Sequence, residues 1–118
     1  MASIDLLRND PHARTFAAHA VVFNEGDAAD LAYVVLEGEI ALTLLGRHLD
    51  TVAAGGIFGE MTLVDRTTRA LTATAKTDCK VVPIDQRRFL SLVQQAPFFA
   101  IEVMATMAER LRRADTHA

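Results

Sequence analysis

Gly55-Gly56-Ile57-Phe58-Gly59-Glu60-Met61-Thr62-Leu63-Val64-Asp65-Arg66-Thr67-Thr68-Arg69-Ala70-Leu71-Thr72 is the stretch around which the chain is organised. Gly55 and Gly56 end a strand-like run and free the backbone. Gly59 stands beside the expected start of a short helix, where unpaired N–H groups carry a partial positive field suited to an anion. Arg69 follows Glu60 by nine positions. Its planar guanidinium can grip a phosphate with two parallel hydrogen bonds, which a lysine cannot reproduce. A carboxylate near a phosphate is repelled unless it has another task, and the hydroxyls of a ribose would give Glu60 one. Amides, acid and arginine together read as a place for sugar plus phosphate. The ordinary alternatives are a surface arginine, of which Arg66 is an example, and an exposed acid favoured at a helix start.

Composition narrows the classes. At 118 residues and 51% hydrophobic, the chain reads as one domain, 1–118, able to build a core. No run approaches the roughly 18–20 apolar residues of a membrane span, and residues 1–10 lack the apolar centre of a secretory signal, so a soluble cytoplasmic protein is expected. A net charge of −3 argues against a nucleic-acid binder, which usually carries a basic face. The single Cys79 cannot form an internal disulfide and reads as a buried structural thiol. His12, His19, His48 and His117 are scattered, with no ligand pair at helical or strand spacing, so no metal is expected. No Ser/His/Asp or Cys/His pairing stands out, and the chain is expected not to be an enzyme.

Outward from the central stretch the pattern is that of short strands. Residues 3–10 read as a short helix capped by Ser3 and ended by Pro11. Val21, Val22 and Phe23 form a β-like run over 20–24, followed by a Glu25-Gly26-Asp27 turn. Residues 31–36 form the next strand. Residues 39–44 alternate, with Ile40, Leu42 and Leu44 on one face. Gly46-Arg47 turns the chain into 48–52. Beyond the central stretch, 71–75 and 79–84 are strands, and Pro83 marks an edge or strand end. This density of short strands predicts a sandwich, barrel or jelly roll.

The period then changes. Asp85 is a good N-cap, and Phe89, Leu92 and Val93 make a helical stripe. Pro97 opens a final helix over 98–114. Ile101, Met104, Ala108 and Leu111 form one apolar row, widened by Phe99, Val103 and Met107, with Glu109 and Arg113 paired on the polar side. That apolar side is wider than a surface helix needs, which leaves core packing, dimer contact and lid action as readings. Arg110, Arg112 and Arg113 read as a solvated basic helix end, with contact to a bound base as the alternative.

The central segment resembles the phosphate-binding cassette of the cyclic-nucleotide-binding domain family, of the catabolite activator and protein kinase A regulatory subunit type. The match lies in Phe58-Gly59-Glu60-Met61-Thr62-Leu63 and Arg69-Ala70 at the family's spacing. Thr62 stands where the family usually has Ala, and Thr68 where Pro often precedes the arginine. Phe23-Asn24-Glu25-Gly26-Asp27 resembles the family's opening turn, and residues 33–39, 75–81 and 84–85 resemble its strands, so about 17–113 are covered. The resemblance implies a mainly β fold with flanking helices: a double-stranded β-helix (jelly-roll) β-roll over about 17–84, a short N-terminal helix and C-terminal helices over about 85–114. It implies a cyclic nucleotide as ligand, with Phe58, Gly59, Glu60, Met61, Thr62, Arg69, Ala70 and Leu71 as its site, although the side chains of Phe58, Met61 and Leu63 read as core rather than as base contacts. Arg69 would take the exocyclic phosphate oxygens and Glu60 the ribose 2′-hydroxyl. Ala70 stands where some members carry the Ser or Thr that bonds a guanine edge. This tilts the ligand towards cyclic AMP, with cyclic GMP as the other candidate. Leu71 and strand residues 33–36 are the candidates for the wall of the base pocket, with no choice among them. In this family the C-terminal helix often caps the base and joins protomers, which would make a homodimer here. The chain reads as a stand-alone member without an output domain, acting on an effector protein. The alternative is a degenerate fold that serves as a protein-interaction or oligomerisation module without nucleotide.

Overall fold

Strand β3 (Ala32–Glu37) lies at the centre of the architecture because both of its faces are covered. Its residues Ala32, Tyr33, Val34 and Val35 are all buried, which is why the sequence there is an unbroken apolar run rather than an alternation. Tyr33 and Val35 point into one cluster, Ala32 and Val34 into another. This computed structural model describes residues 2–65 and 68–116, so Arg66 and His117 lie outside the described residues, as does the side chain of Ser3.

Among the described residues eight strands form two four-stranded antiparallel sheets. They are β1 (Arg14–Phe16), β2 (Val21–Phe23), β3, β4 (Ile40–Leu44), β5 (Arg47–Val52), β6 (Ile57–Phe58), β7 (Thr72–Ala75) and β8 (Cys79–Ile84). One sheet runs β1-β8-β3-β6 and the other β2-β7-β4-β5. The inner cluster lies between them and includes Phe23, Tyr33, Ile40, Leu42, Phe58 and Val81. The outer cluster packs the far side of the first sheet against α1 (Gln86–Gln95) and α2 (Phe98–Thr116), through Val34, Val82, Ile84, Leu92, Phe99 and Val103. The result is the jelly-roll β-roll with C-terminal helices that the sequence implied.

Several local features follow from single residues. Asp85 caps α1 by accepting from the Arg88 N–H at 2.7 Å. The β4–β5 hairpin turns through Leu45 (φ 51°) and Gly46 (φ 83°), two successive left-handed residues, as the twist of a two-residue hairpin requires. The turn is therefore 45–46, and Arg47 already belongs to β5. Pairing between β4 and β5 slips between Leu42 and Thr43, and Leu44 at the hairpin end is exposed rather than on the core face. Buried Cys79 packs in the inner cluster, its thiol within 3.0 Å of the Glu39 carbonyl. Pro83 pairs with Tyr33, beyond the reach of β1, whose register ends at Val81, so that flank is locally an edge.

Three expectations need correction. The N-terminal helix is a 3-10 turn, Ala2–Leu6, followed by further turns; too few residues are present to repay an α-helical nucleus. Strands β1 and β6 carry too little alternation to be visible locally and exist through pairing with β8 and β3, so the β-roll begins before residue 17. In α2 the two apolar rows separate: Phe99 and Val103 are buried, whereas Ile101, Met104 and Leu111 are more than half exposed. Among the described residues no helix is long and apolar enough to cross a membrane.

The division of α2 has a measurable consequence. Phe99→Ala should destabilise the fold by about 3–5 kcal/mol in urea titration, through lost burial and a residual cavity. Phe98→Ala, at a side chain 77% exposed, should stay within about 0.5 kcal/mol of wild type.

Candidate functional site

Strand β6 delivers the chain to Gly59, whose φ of 68° is left-handed and turns it into a 3-10 helix, Glu60–Leu63. A Cβ on Gly59 would lie 2.8 Å from Arg69 Nη1, so glycine is needed for the turn and for the neighbouring guanidinium. Arg69 is pinned by its backbone to the Glu25-Gly26-Asp27 turn: its N–H donates to the Asp27 carbonyl at 2.8 Å, and its carbonyl accepts from Gly26 N–H at 2.9 Å. Its side chain is buried, with Nη2 donating to the Leu31 carbonyl at 2.6 Å and the guanidinium carbon 4.0 Å from the Phe23 ring centroid. Burial lowers the Arg69 pKa, against the raising influence of Tyr33, Asp30 and Asp27, and the group stays cationic. Its Nε is buried without a hydrogen-bond partner.

Glu60 is also buried. One carboxylate oxygen, Oε1, accepts from Arg110 Nη1, brought by α2 from the other end of the chain. Arg110 Nη2 donates to the Ile57 carbonyl at 2.9 Å, and its Nε lies 3.4 Å from Asp50 Oδ2. Asp50 is held in turn by Arg113 at 2.7 Å, and Arg113 also pairs with Glu109. Burial pushes the Asp50 pKa up, but the hydrogen bond from Arg113 and the charges of Arg113 and Arg110 outweigh it, leaving the carboxyl below its ordinary value. Arg110 and Arg113 are thus structural ties of α2, not a solvated helix end.

Arg69 and Glu60 line one cavity of about 420 Å³, together with Gly59, Met61, Thr62, Ala70 and Leu71. Phe23, Ala29, Leu42, Asp65 and Thr68 complete its wall, and α2 closes one side with Met107, Arg110 and Leu111. An adjoining cavity of about 300 Å³ shares Leu42, Leu71 and Arg110. Phe58 is outside the lining: its ring stacks on Tyr33 with centroids 5.2 Å apart, fully buried in the inner cluster. Residues 33–36 also do not line the cavity; Tyr33 and Val35 are spent on the core. Phe23 and Leu42 had no local signal; lid action by α2 and base contact by Arg110 were among the readings, but the meeting of Arg110 with Glu60 spans 50 residues of chain and was not. Among the described residues no group of His, Cys, Asp and Glu gathers as a metal site would.

The fold is thus a β-roll in which a buried arginine and a buried carboxylate line one cavity of small-molecule size. The family model for the cyclic nucleotide-binding domain matches residues 13–96, and the chain belongs to that family. It is 32% identical over 117 residues to the cyclic AMP receptor protein of Thermus thermophilus, covering 95% of this chain and 54% of that protein. The crystal structure of Thermus thermophilus catabolite activator protein superposes with a TM-score of 0.80 at 30% identity, over 98% of this chain and 57% of that one. The cAMP-dependent protein kinase regulatory subunit of Eremothecium gossypii is 32% identical over 77 residues, 65% of this chain and 17% of that protein. The chain thus spans little more than half of the first of these relatives and a smaller part of the kinase subunit.

The lowered Asp50 pKa makes a signed prediction. The stability that Asp50 contributes is fully present above the ordinary carboxylate range and is lost as pH falls through its lowered folded value. The difference in melting temperature between wild type and Asp50→Asn should be constant above about pH 5 and shrink below about pH 4.

Proposed function

We propose that this chain binds a cyclic nucleotide, cyclic AMP in preference to cyclic GMP, and passes the binding event to another protein through α2. The observation that carries this reading is the pair of buried charges, Arg69 and Glu60, on one cavity wall. Burying a guanidinium without a carboxylate of its own is costly, and an anionic ligand would offset that cost. The cavity volume lies in the range usual for small-molecule sites. Ala70 offers no hydroxyl for a guanine edge, which supports the preference for adenine.

In this mechanism the cyclic phosphate sits on Arg69 and the amides of the Glu60–Leu63 turn. The ribose 2′-hydroxyl donates to Glu60, whose Oε1 is already oriented by Arg110. Any change at Glu60 is therefore felt by α2 through Arg110, and through Asp50 by Arg113. Ligand shifts the position of α2 only by the difference in its affinity for the two arrangements. A second reading, a protein-interaction or oligomerisation module without nucleotide, draws on the exposed row of Phe98, Ile101, Met104 and Leu111 on α2. Sedimentation with and without nucleotide separates the two, since self-association indifferent to ligand favours the second.

Isothermal titration tests the first reading directly. Wild type should bind cyclic AMP more tightly than cyclic GMP. Arg69→Lys should weaken binding by about 10- to 100-fold, the loss of a bidentate charge-assisted contact. No heat with wild type, or equal affinity for Arg69→Ala and wild type, rejects it.

A further inference from the structure

Only two buried side-chain polar atoms among the described residues lack a hydrogen-bond partner: Arg69 Nε and Thr62 Oγ1. Both residues line the same cavity. Thr62 is 3% exposed, so its hydroxyl does not reach bulk solvent. A threonine in a helix ordinarily disposes of its hydroxyl by donating back to a carbonyl one turn earlier. Thr106 in α2 does this, donating to the Glu102 carbonyl at 3.1 Å. Thr62 does not; the carbonyl one turn back, that of Gly59, faces the Thr62 amide at 3.4 Å. A buried hydroxyl with nothing to bond costs the folded protein free energy.

We infer that the Thr62 hydroxyl is a ligand contact, donating a hydrogen bond to an oxygen of the cyclic phosphate beside Arg69. This deepens the cyclic-nucleotide reading above and rests on it. The phosphate is the acceptor favoured by chemistry. Glu60 is an acceptor and suits a sugar hydroxyl, whereas Thr62 Oγ1 and Arg69 Nε are the two donors left over on residues that line the cavity, and an anionic oxygen accepts from donors more strongly than a neutral one. With Ala at this position the cavity would present one donor fewer. Thr62 is therefore a residue that sets affinity for the charged end of the ligand, independently of the choice of base.

Thr62→Val keeps the shape and removes the donor; Thr62→Ser keeps the donor. With cyclic AMP as probe, Thr62→Val should raise Kd about tenfold, the usual loss for a hydrogen bond to a charged acceptor, and Thr62→Ser should stay within about threefold of wild type. Without nucleotide, the melting temperature of Thr62→Val should equal or exceed that of wild type, because an unsatisfied hydroxyl has been removed; a structural role would lower it. The two phosphorothioate diastereomers of cyclic AMP locate the contact. One of them should lose its penalty relative to cyclic AMP in Thr62→Val. If wild type binds and Thr62→Val binds equally well, or if the penalty that vanishes is instead that of 2′-deoxy cyclic AMP, this inference is overturned while the cyclic-nucleotide reading stands. If wild type binds none of these nucleotides, the broader reading fails first.

Discussion

A guanidinium pressed against an aromatic ring inside a β-roll constrains everything near it. Arg69 lies over Phe23, donates to the Leu31 carbonyl, and is tied through its backbone to the turn at Gly26 and Asp27. Phe23 in turn packs against Tyr33 and Phe58, so the charge rests on the aromatic part of the inner core. Gly59 must lack a side chain for Nη1 to fit. Two distant parts of the sequence, 23–31 and Gly59, therefore serve one cation. Such a group is tolerated because carbonyl, ring and cavity share the work that water would do.

The second constraint joins the sheets to the last helix. Arg110 is a three-way connector, reaching Glu60, the Ile57 carbonyl and Asp50, while Arg113 holds the other oxygen of Asp50. Partly buried networks of this kind exceed isolated surface pairs in geometric definition, since each charge fixes the rotamer of the next. The carboxylate on the cavity wall is thus also the carboxylate on which α2 is fastened. The cavity wall and the position of α2 therefore share an atom group.

Much of this was legible along the chain. The cassette from Phe58 to Ala70 combines fixed spacing with residue types of distinct chemistry, and that combination depends only on local order. The turn at Glu25-Gly26-Asp27, the Asp85 cap and the pair at Glu109 and Arg113 are likewise short-range, and all occur as read. Strands β1 and β6 were not legible, since two or three residues carry no period; pairing partners define them. Leu44 illustrates the same limit, because it keeps the alternation of β4 yet is exposed at the hairpin end, where the strand has run beyond the core.

By itself the sequence determined the kind of fold and the cassette that lines the cavity, because alternation, turn residues and motif spacing act over a few positions. Tertiary structure alone decided which of two apolar rows on α2 is buried and that Arg110 meets Glu60. Those outcomes turn on the angle at which a helix docks and on contacts between residues far apart in the chain, and no local pattern encodes either.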